Sequence, residues 1–266
     1  MKKIRTIACL LLITLLAHAA NAQIINIDKT DTADYVKKAV WNGNISLGLE
    51  VDKQRSTLFD ASNFLNLSLQ KRHELFILSA SDRFTYNGPS SYLNKGYVHI
   101  RWRHNYKALL HPETYLQYQW DDALGMVHRF LAGENLRYNC WRHGAWEMTV
   151  ATGIMYEGEQ WNYTAVDSSK IPVPHTNQYS REIKSNNYIK WEGKISAASN
   201  ISIIVFYQAA FNDFFTPRVS GVINFDTEIS KHFVLGIKYN GLYDAGPVVP
   251  LFKFYYNYST GLEYKF

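Results

Sequence analysis

The chain has 266 residues, with 28 Lys and Arg residues against 23 Asp and Glu residues, and a net charge of +5 at pH 7. Three of the basic residues lie within residues 1–22, so the rest of the chain carries a charge of only +2. A nucleic-acid-binding protein needs a basic stripe in its folded part, so this class of partner is excluded. Cys9 and Cys140 are the two cysteines, which is too few for a disulfide framework.

Residues 1–22 have the three parts of a secretory signal peptide. A basic start is followed by an apolar run over 7–17, and Ala20 and Ala22 supply small residues before the expected cleavage point. The run is shorter than the roughly 18 apolar residues that a transmembrane helix needs, and no later segment reaches that length. We therefore predict an exported chain, in which 23–40 is a periplasmic N-terminal segment, either a tail or a small plug.

Alternation of apolar and polar residues then continues along the chain, which predicts β-strands because successive side chains point to opposite faces. The clearest example is 252–266, where Phe252, Phe254 and Tyr256 alternate with Lys253 and Tyr255. Strands of this length are typical of transmembrane barrels. The twelve predicted strands are 41–51, 59–70, 74–86, 96–107, 113–121, 127–139, 145–157, 187–198, 201–212, 219–229, 233–243 and 252–266.

The predicted connections alternate between short and long, as periplasmic turns and extracellular loops do in outer-membrane barrels. The longest predicted loop is 158–186, which contains Pro172 and Pro174. It could constrict the barrel mouth, contact a ligand outside the barrel, or simply be exposed. We therefore predict an all-β fold, a transmembrane antiparallel β-barrel of about twelve strands over 41–266, with short periplasmic turns and longer extracellular loops.

A secreted β-sandwich or lipocalin-like barrel would show the same alternation, with its apolar side chains inside. Three features favour the membrane barrel, in which the apolar side chains face lipid: the strands are long, the chain stops at an aromatic residue, and aromatic residues lie near the strand ends as in membrane girdles. These aromatic residues are Trp41, Trp120, Trp146, Tyr156, Tyr243 and Tyr264.

The last strand resembles the C-terminal signal that the barrel-insertion machinery of the outer membrane reads. Gly261, Tyr264 and Phe266 occupy the small and aromatic positions of that signal. Such recognition works by strand addition, in which backbone hydrogen bonds give affinity and alternate side chains give specificity. The expected partners are therefore the insertion machinery and, after insertion, outer-membrane lipid and lipopolysaccharide.

Several stretches together resemble a family of uncharacterised barrels known as salt-induced outer membrane proteins. They are residues 41–48 with a Trp-x-Gly start, 120–138 with an Asp-rich loop and a Gly-containing strand, and 151–157. The resemblance implies an outer-membrane barrel and no established reaction. Glu134 departs from the pattern, because alternation directs this carboxylate towards lipid, where a charge costs a few kcal/mol. A bulge that shifts the alternation, or a position nearer a turn, would remove this conflict.

Two kinds of catalytic site can be compared with the sequence. Asp121, Asp122 and His128 flank a short loop and could activate water by acid–base chemistry. We favour the alternative, a solvated turn with ion pairs to Arg129. A barrel phospholipase would need a Ser–His pair, and those enzymes carry a His-x-Ser step that is absent from this sequence. Cys140 has no metal-ligand spacing around it. We predict no enzyme activity, no cofactor and no metal.

The predicted inner face carries charges of both signs. They could form a structural lattice of ion pairs, or they could tune ion selectivity in a water-filled lumen. We predict a small pore or passive channel for ions or small solutes, with a closed structural or stress-related envelope barrel as the alternative. The predicted lumen-facing charges are Arg101, Arg103, Arg129, Arg137, Glu147, Glu157, Lys190, Glu192, Lys194, Asp226, Glu228, Lys238, Lys253, Glu263 and Lys265.

Overall fold

The computed structural model describes residues 39–53, 57–87, 92–173 and 176–264. These residues form twelve strands and two single 3-10 turns, Asp122–Leu124 and Ser168–Lys170. The strands are β1 (Val40–Lys53), β2 (Thr57–Lys71), β3 (Glu74–Asn87), β4 (Tyr92–His104), β5 (Leu110–Asp121), β6 (Met126–His143), β7 (Trp146–Trp161), β8 (Gln178–Lys194), β9 (Ser199–Ala210), β10 (Asp213–Glu228), β11 (Phe233–Asp244) and β12 (Phe254–Tyr264).

All twelve predicted strands are confirmed, and most are longer than predicted. The largest correction concerns β8, which begins at Gln178 rather than at residue 187, so the long loop is 162–177 rather than 158–186. The strict alternation of short and long connections is wrong in two places. Only 211–212 separate β9 and β10, and the turn 105–109 is longer than the loops on either side of it, 88–91 and 122–125. The two long connections, 162–177 and 245–253, do lie at the same end of the sheet, which we call the loop end; the opposite end is the turn end.

Each strand pairs antiparallel with its neighbours in chain order, from β1 through to β12. The register keeps each apolar set on one face: Trp41 pairs with Leu69, Leu69 with Phe76, and Phe76 with Trp102. Because side chains alternate between faces with a period of two, this register places all four residues on the same side of the sheet. The same relation continues through the remaining strands to Phe254 on β12.

The two faces of the sheet differ sharply in burial. Large apolar side chains of the outer face are exposed, such as Leu47 at 72% and Ile154 at 58%, whereas charged side chains of the inner face are enclosed, such as Arg103 and Glu157 at 1%. This is the reverse of a soluble barrel, in which the apolar set fills the interior. The arrangement requires an apolar surrounding for the outer face.

The sheet curls so that inner side chains from distant strands meet, which makes the fold a barrel. The Tyr188 hydroxyl on β8 donates a hydrogen bond of 3.0 Å to Glu113 on β5. Small apolar clusters fill parts of the interior, among them Tyr115, Leu131 and Met155 at mid-height. The interior between β4 and β10 is therefore packed rather than empty.

Apolar side chains also cover both ends of this packed region. At the loop end, Met126, Trp161, Val166 and Val249 form a buried cluster, which we call the apolar cap. Val166 and Val249 belong to the two long connections, so the described part of the loop 162–177 packs against the barrel mouth through Val166. At the turn end, Leu75 and Ile77 on β3 pack with Tyr106 from the β4–β5 turn.

The wall formed by β1 is different, because both of its faces are exposed over nearly the whole strand. The described residues of β1 and β12 do not pair with each other through their backbones. Strand pairing instead runs in chain order from β1, through the ten strands between them, to β12. In the part of the chain that the structure describes, no helix is long and apolar enough to cross a membrane. The predicted signal peptide, the segment 23–38, Lys265 and Phe266 lie outside the described residues.

Candidate functional site: charged side chains inside the barrel

Six charged residues form a network near the loop end, which we call the loop-end cluster: Arg129, Glu157, Glu159, Lys184, Arg218 and Asp244. Glu157 is the most central member, because Arg129, Lys184 and Arg218 all contact it. The guanidinium of Arg129 also reaches Glu159 at 2.9 Å. The six residues therefore comprise three cations and three carboxylates. Lys184 also contacts the more exposed Glu182 at 2.9 Å.

Arg218 connects three strands of the barrel wall within this cluster. Its Nη1 donates hydrogen bonds to Glu157 at 2.7 Å and to Glu159 at 2.6 Å, both on β7. Its Nε and Nη2 donate to Asp244 on β11 at 2.9 Å and 2.8 Å. Charge-assisted hydrogen bonds of this length are the strong kind, so Arg218 fixes β7, β10 and β11 relative to one another.

A second network lies nearer the turn end, and we call it the arginine cluster: Arg101, Arg103, Glu113 and Arg137. The three guanidinium groups converge on Oε2 of Glu113, at 3.6 Å from Arg101, 2.6 Å from Arg103 and 3.4 Å from Arg137. All four side chains are at most 6% exposed. One carboxylate here faces three guanidinium groups.

Neutral polar side chains complete the arginine cluster. Oε1 of Glu113 accepts hydrogen bonds from the Tyr188 hydroxyl at 3.0 Å and from Asn135 Nδ2 at 3.3 Å. Asn186 links Asn135 at 3.2 Å to the Tyr115 hydroxyl at 2.8 Å, between the two clusters. Both oxygens of Glu113 are therefore saturated, as a buried carboxylate requires.

A cavity of about 90 Å³ lies between the two clusters. A buried water needs roughly 10–15 Å³ on the same measure, so the cavity has room for several waters or a small hydrated ion. Its wall combines charged groups from both clusters and amide side chains with apolar side chains such as Leu131, Trp161 and Phe206. The lining includes Arg101, Glu113, Gln117, Arg129, Asn186, Gln208, Arg218 and Asp244.

The structure places the predicted lumen-facing charges in three settings. Arg101, Arg103, Arg129, Arg137, Glu157 and Lys190 are buried inside the barrel. Glu147, Glu192, Lys194, Asp226, Glu228 and Lys238 lie on inner-face positions with intermediate or full exposure, and Lys190 contacts Glu192 at 2.8 Å. Lys253 is a correction, because it lies in the connection 245–253 before β12 begins. The Glu263 side chain and Lys265 lie outside what the structure describes.

Five residues of these networks were not among the predicted lumen charges: Glu113, Glu159, Lys184, Arg218 and Asp244. Asp244 stood one residue beyond the predicted strand 233–243. Glu113 stood at the first position of a predicted strand, and Arg218 stood just before another. Glu159 and Lys184 fell inside the predicted loop 158–186. Both residues could have been found by extending the alternation beyond the predicted strands. Glu159 and Trp161 follow Glu157 at inner-face positions, and Lys184 precedes Tyr188 at another.

Glu134 lies on the outer face at the middle of β6, where it is exposed and pairs with Thr114 on β5 and Ile154 on β7. The bulges of β6 lie elsewhere, between Met126 and His128 and between Tyr138 and Trp141. Both explanations offered by the sequence are therefore wrong: no bulge shifts the alternation here, and no turn is near.

The predicted acid–base candidates do not converge. Asp121 is buried on the inner face, where its carboxylate caps the 3-10 turn by accepting from the Leu124 backbone N–H at 3.3 Å. His128 stacks on Tyr118 of the outer face, with ring centroids 6.3 Å apart. Asp122 lies in the 3-10 turn, where partial burial raises the pKa of its carboxyl above the ordinary value. These positions explain Asp121 as a turn cap, not as half of a catalytic pair.

No protein-family model and no curated protein sequence matches the chain. A solved structure of the porin NanC matches with a TM-score of 0.43 and 11% sequence identity, over 86% of this chain and 99% of that chain. A likeness at this level assigns no solute to the present chain. The resemblance to salt-induced outer membrane proteins stays a prediction.

Proposed function

We propose that this chain forms an outer-membrane β-barrel that conducts ions and small polar solutes through a narrow, partly filled lumen. The outer face supports the membrane location, because its exposed apolar side chains need lipid. The predicted signal peptide of residues 1–22 and the predicted terminal signal at Gly261, Tyr264 and Phe266 agree with export and insertion. The partners under this proposal are lipid, lipopolysaccharide and the insertion machinery.

The observation that carries the proposal is the exposure of the inner face of β1. Its inward positions are small or polar, namely Asn42, Asn44, Ser46, Gly48 and Glu50, and every one of them is exposed. The inner faces of β4 to β8 are instead occupied by the charged clusters and their packing. Under this proposal, a water-filled path runs along the inner face of β1, beside the packed interior.

Conduction along this wall requires that β1 and β12 meet in the membrane. An unpaired strand edge in hydrocarbon leaves backbone N–H and C=O groups without partners, at a cost of several kcal/mol for each group. Pairing between these two strands removes that cost and separates the lumen from lipid. The proposal therefore includes a barrel closed at the β1–β12 seam.

Planar-bilayer recording of the purified, folded protein tests the proposal. The full chain should give discrete current steps, and Ser46→Trp should lower the conductance because the indole fills the inward side of β1. Leu47→Trp is the matched control, since the neighbouring position points outward and should leave the conductance unchanged. Absence of current from protein that still shows heat-modifiable gel mobility contradicts the proposal.

A closed structural or stress-related envelope barrel is the second candidate. The apolar cap favours it, because Met126, Trp161, Val166 and Val249 cover the loop end above the loop-end cluster. The same recordings decide between the two candidates, since a closed barrel gives no current with either tryptophan variant or with the unmodified chain.

A further inference from the structure

The cavity of about 90 Å³ between the two clusters has an unpartnered hydroxyl group on its wall. Ser220 on β10 lines this cavity and is only 6% exposed. Among the residues that the structure describes, none forms a hydrogen bond with its hydroxyl. A buried polar group without a partner is costly, so this hydroxyl favours a bound molecule that completes its hydrogen bonding.

A second unused polar atom lies on the neighbouring strand. Gln208 lines the same cavity and donates from Nε2 to Asn186 at 3.0 Å, while its Oε1 accepts no hydrogen bond from the described residues. Gln208 pairs with Arg218, two residues before Ser220, so Gln208 and Ser220 are diagonal neighbours on the inner face. A hydroxyl group of a ligand can donate to the Gln208 oxygen and accept from Ser220, because a hydroxyl is both donor and acceptor.

The charged side chain next to Ser220 along the inner face of β10 is fully engaged within the protein. Arg218 donates all five of its N–H groups to Glu157, Glu159 and Asp244. The other oxygen of Asp244 accepts from the Gly246 backbone N–H at 3.2 Å. A guanidinium group whose five donors are all used has none for an anion. The polar end of a ligand at Ser220 is therefore uncharged.

Apolar side chains flank the Ser220 hydroxyl on both neighbouring strands. Ser220 pairs with Phe206 on β9 and with Leu242 on β11, and both of these residues line the cavity together with Leu131 and Leu251. Small-molecule sites are typically apolar with a few polar groups that orient the ligand. Because a buried water needs roughly 10–15 Å³ on this measure, the cavity holds a molecule of about six non-hydrogen atoms.

We infer that the cavity binds a small uncharged molecule with one hydroxyl group and an apolar body, such as a short-chain alcohol. The ligand hydroxyl lies between Ser220 and Gln208, and the apolar body packs against Phe206, Leu242 and Leu131. The site lies in the packed interior, apart from the β1 wall, so this binding does not depend on the proposed conduction.

Saturation-transfer NMR on the full chain in detergent micelles tests the ligand class with three probes of similar size: butan-1-ol, glycerol and propionate. After subtraction of the signal from protein-free micelles, butan-1-ol should receive magnetisation from the protein. Glycerol lacks the apolar body and propionate carries a charge, so neither should. Absence of transfer to butan-1-ol, or transfer as strong to glycerol or propionate, overturns the inference. This comparison needs no variant to fold, and neither result bears on conduction.

Two substitutions test the position of the ligand hydroxyl. Ser220→Ala should raise the Kd for butan-1-ol about fivefold, the usual effect of losing one hydrogen bond. Gln208→Met keeps the side-chain length, removes the acceptor oxygen and should act in the same direction. Ser46→Ala is the matched control, since it removes an inward hydroxyl on β1, outside the cavity, and should leave the Kd unchanged. An unchanged Kd in Ser220→Ala and Gln208→Met with heat-modifiable gel mobility intact overturns the inference.

Discussion

The two charged clusters inside the barrel contain similar residue types but differ in how many carboxylates the cations share. In the loop-end cluster, Glu157, Glu159 and Asp244 match Arg129, Lys184 and Arg218, so each ion finds its counter-charge within the protein. In the arginine cluster, Arg101, Arg103 and Arg137 converge on one oxygen of Glu113. The first arrangement spreads its ion pairs over three carboxylates, whereas the second makes one carboxylate a shared acceptor for three arginines.

Burial makes this difference consequential. The desolvation cost of an enclosed ion is repaid only when its partners have good geometry. In the loop-end cluster Arg218 makes charge-assisted hydrogen bonds to three carboxylates. In the arginine cluster the three guanidinium groups depend on one shared acceptor oxygen, at distances from 2.6 to 3.6 Å. The arginine cluster is therefore the more sensitive of the two to loss of its acid.

Glu113→Gln should produce the largest loss of stability. It leaves three enclosed guanidinium groups facing no carboxylate of their own cluster, and breaking a buried pair costs about 3–5 kcal/mol. Urea unfolding in detergent micelles, followed by tryptophan fluorescence, measures the change in free energy of unfolding. Adding Arg101→Gln to this variant should restore part of the loss, because it removes one of the mutually repelling cations. No restoration would contradict the shared-acceptor description.

Glu157→Gln should cost less than Glu113→Gln, although Glu157 has as many cationic neighbours. Glu159 and Asp244 stay in place and continue to accept from Arg129 and Arg218, so the loss should fall near the lower limit of the roughly 3–5 kcal/mol for a broken buried pair. Glu147→Gln is the control, since its partner Arg142 is largely exposed and such pairs contribute about 0–1 kcal/mol. The same urea titration measures all three variants, and a larger loss for Glu157→Gln would reverse the ranking of the clusters.

The sequence predicted the strands well because their signal is local and repeated. Alternation from Phe254 to Leu262 on β12, or from Trp146 to Tyr156 on β7, needs no knowledge of the neighbours. The number and order of strands follow from the same signal. It fails at the loop end of β8, where Arg181, Glu182 and Lys184 offer too few apolar residues to mark a strand.

The clusters could be predicted only as a list of inward charges. The contacts between charged side chains depend on the strand register and on the curvature of the sheet. The alternation within a single strand specifies neither. The contact between Arg218 and Glu157 joins residues on β10 and β7, and that between Tyr188 and Glu113 joins β8 and β5. The sharing of Glu113 by three arginines became visible only when the structure placed these residues together.

Glu134 extends the comparison from enclosed charges to one that faces outward. In the proposed membrane setting, its carboxyl lies at mid-strand among apolar side chains such as Leu136 and Ile154. A charge on the lipid face is unfavourable, less so for an acid than for a base, so Glu134→Leu should stabilise the barrel by about 1 kcal/mol. Urea unfolding in lipid vesicles measures this gain.

Glu134→Gln separates the charge from the shape of the side chain. If the cost comes from the carboxylate, glutamine should recover part of the gain seen with leucine, because it keeps the size and loses the ionisable group. A loss of stability in both variants would contradict this account, since it would mean that Glu134 pairs with another molecule on the outer face. The carboxylate would then resemble Glu113 in depending on its partners, with those partners supplied from outside the barrel.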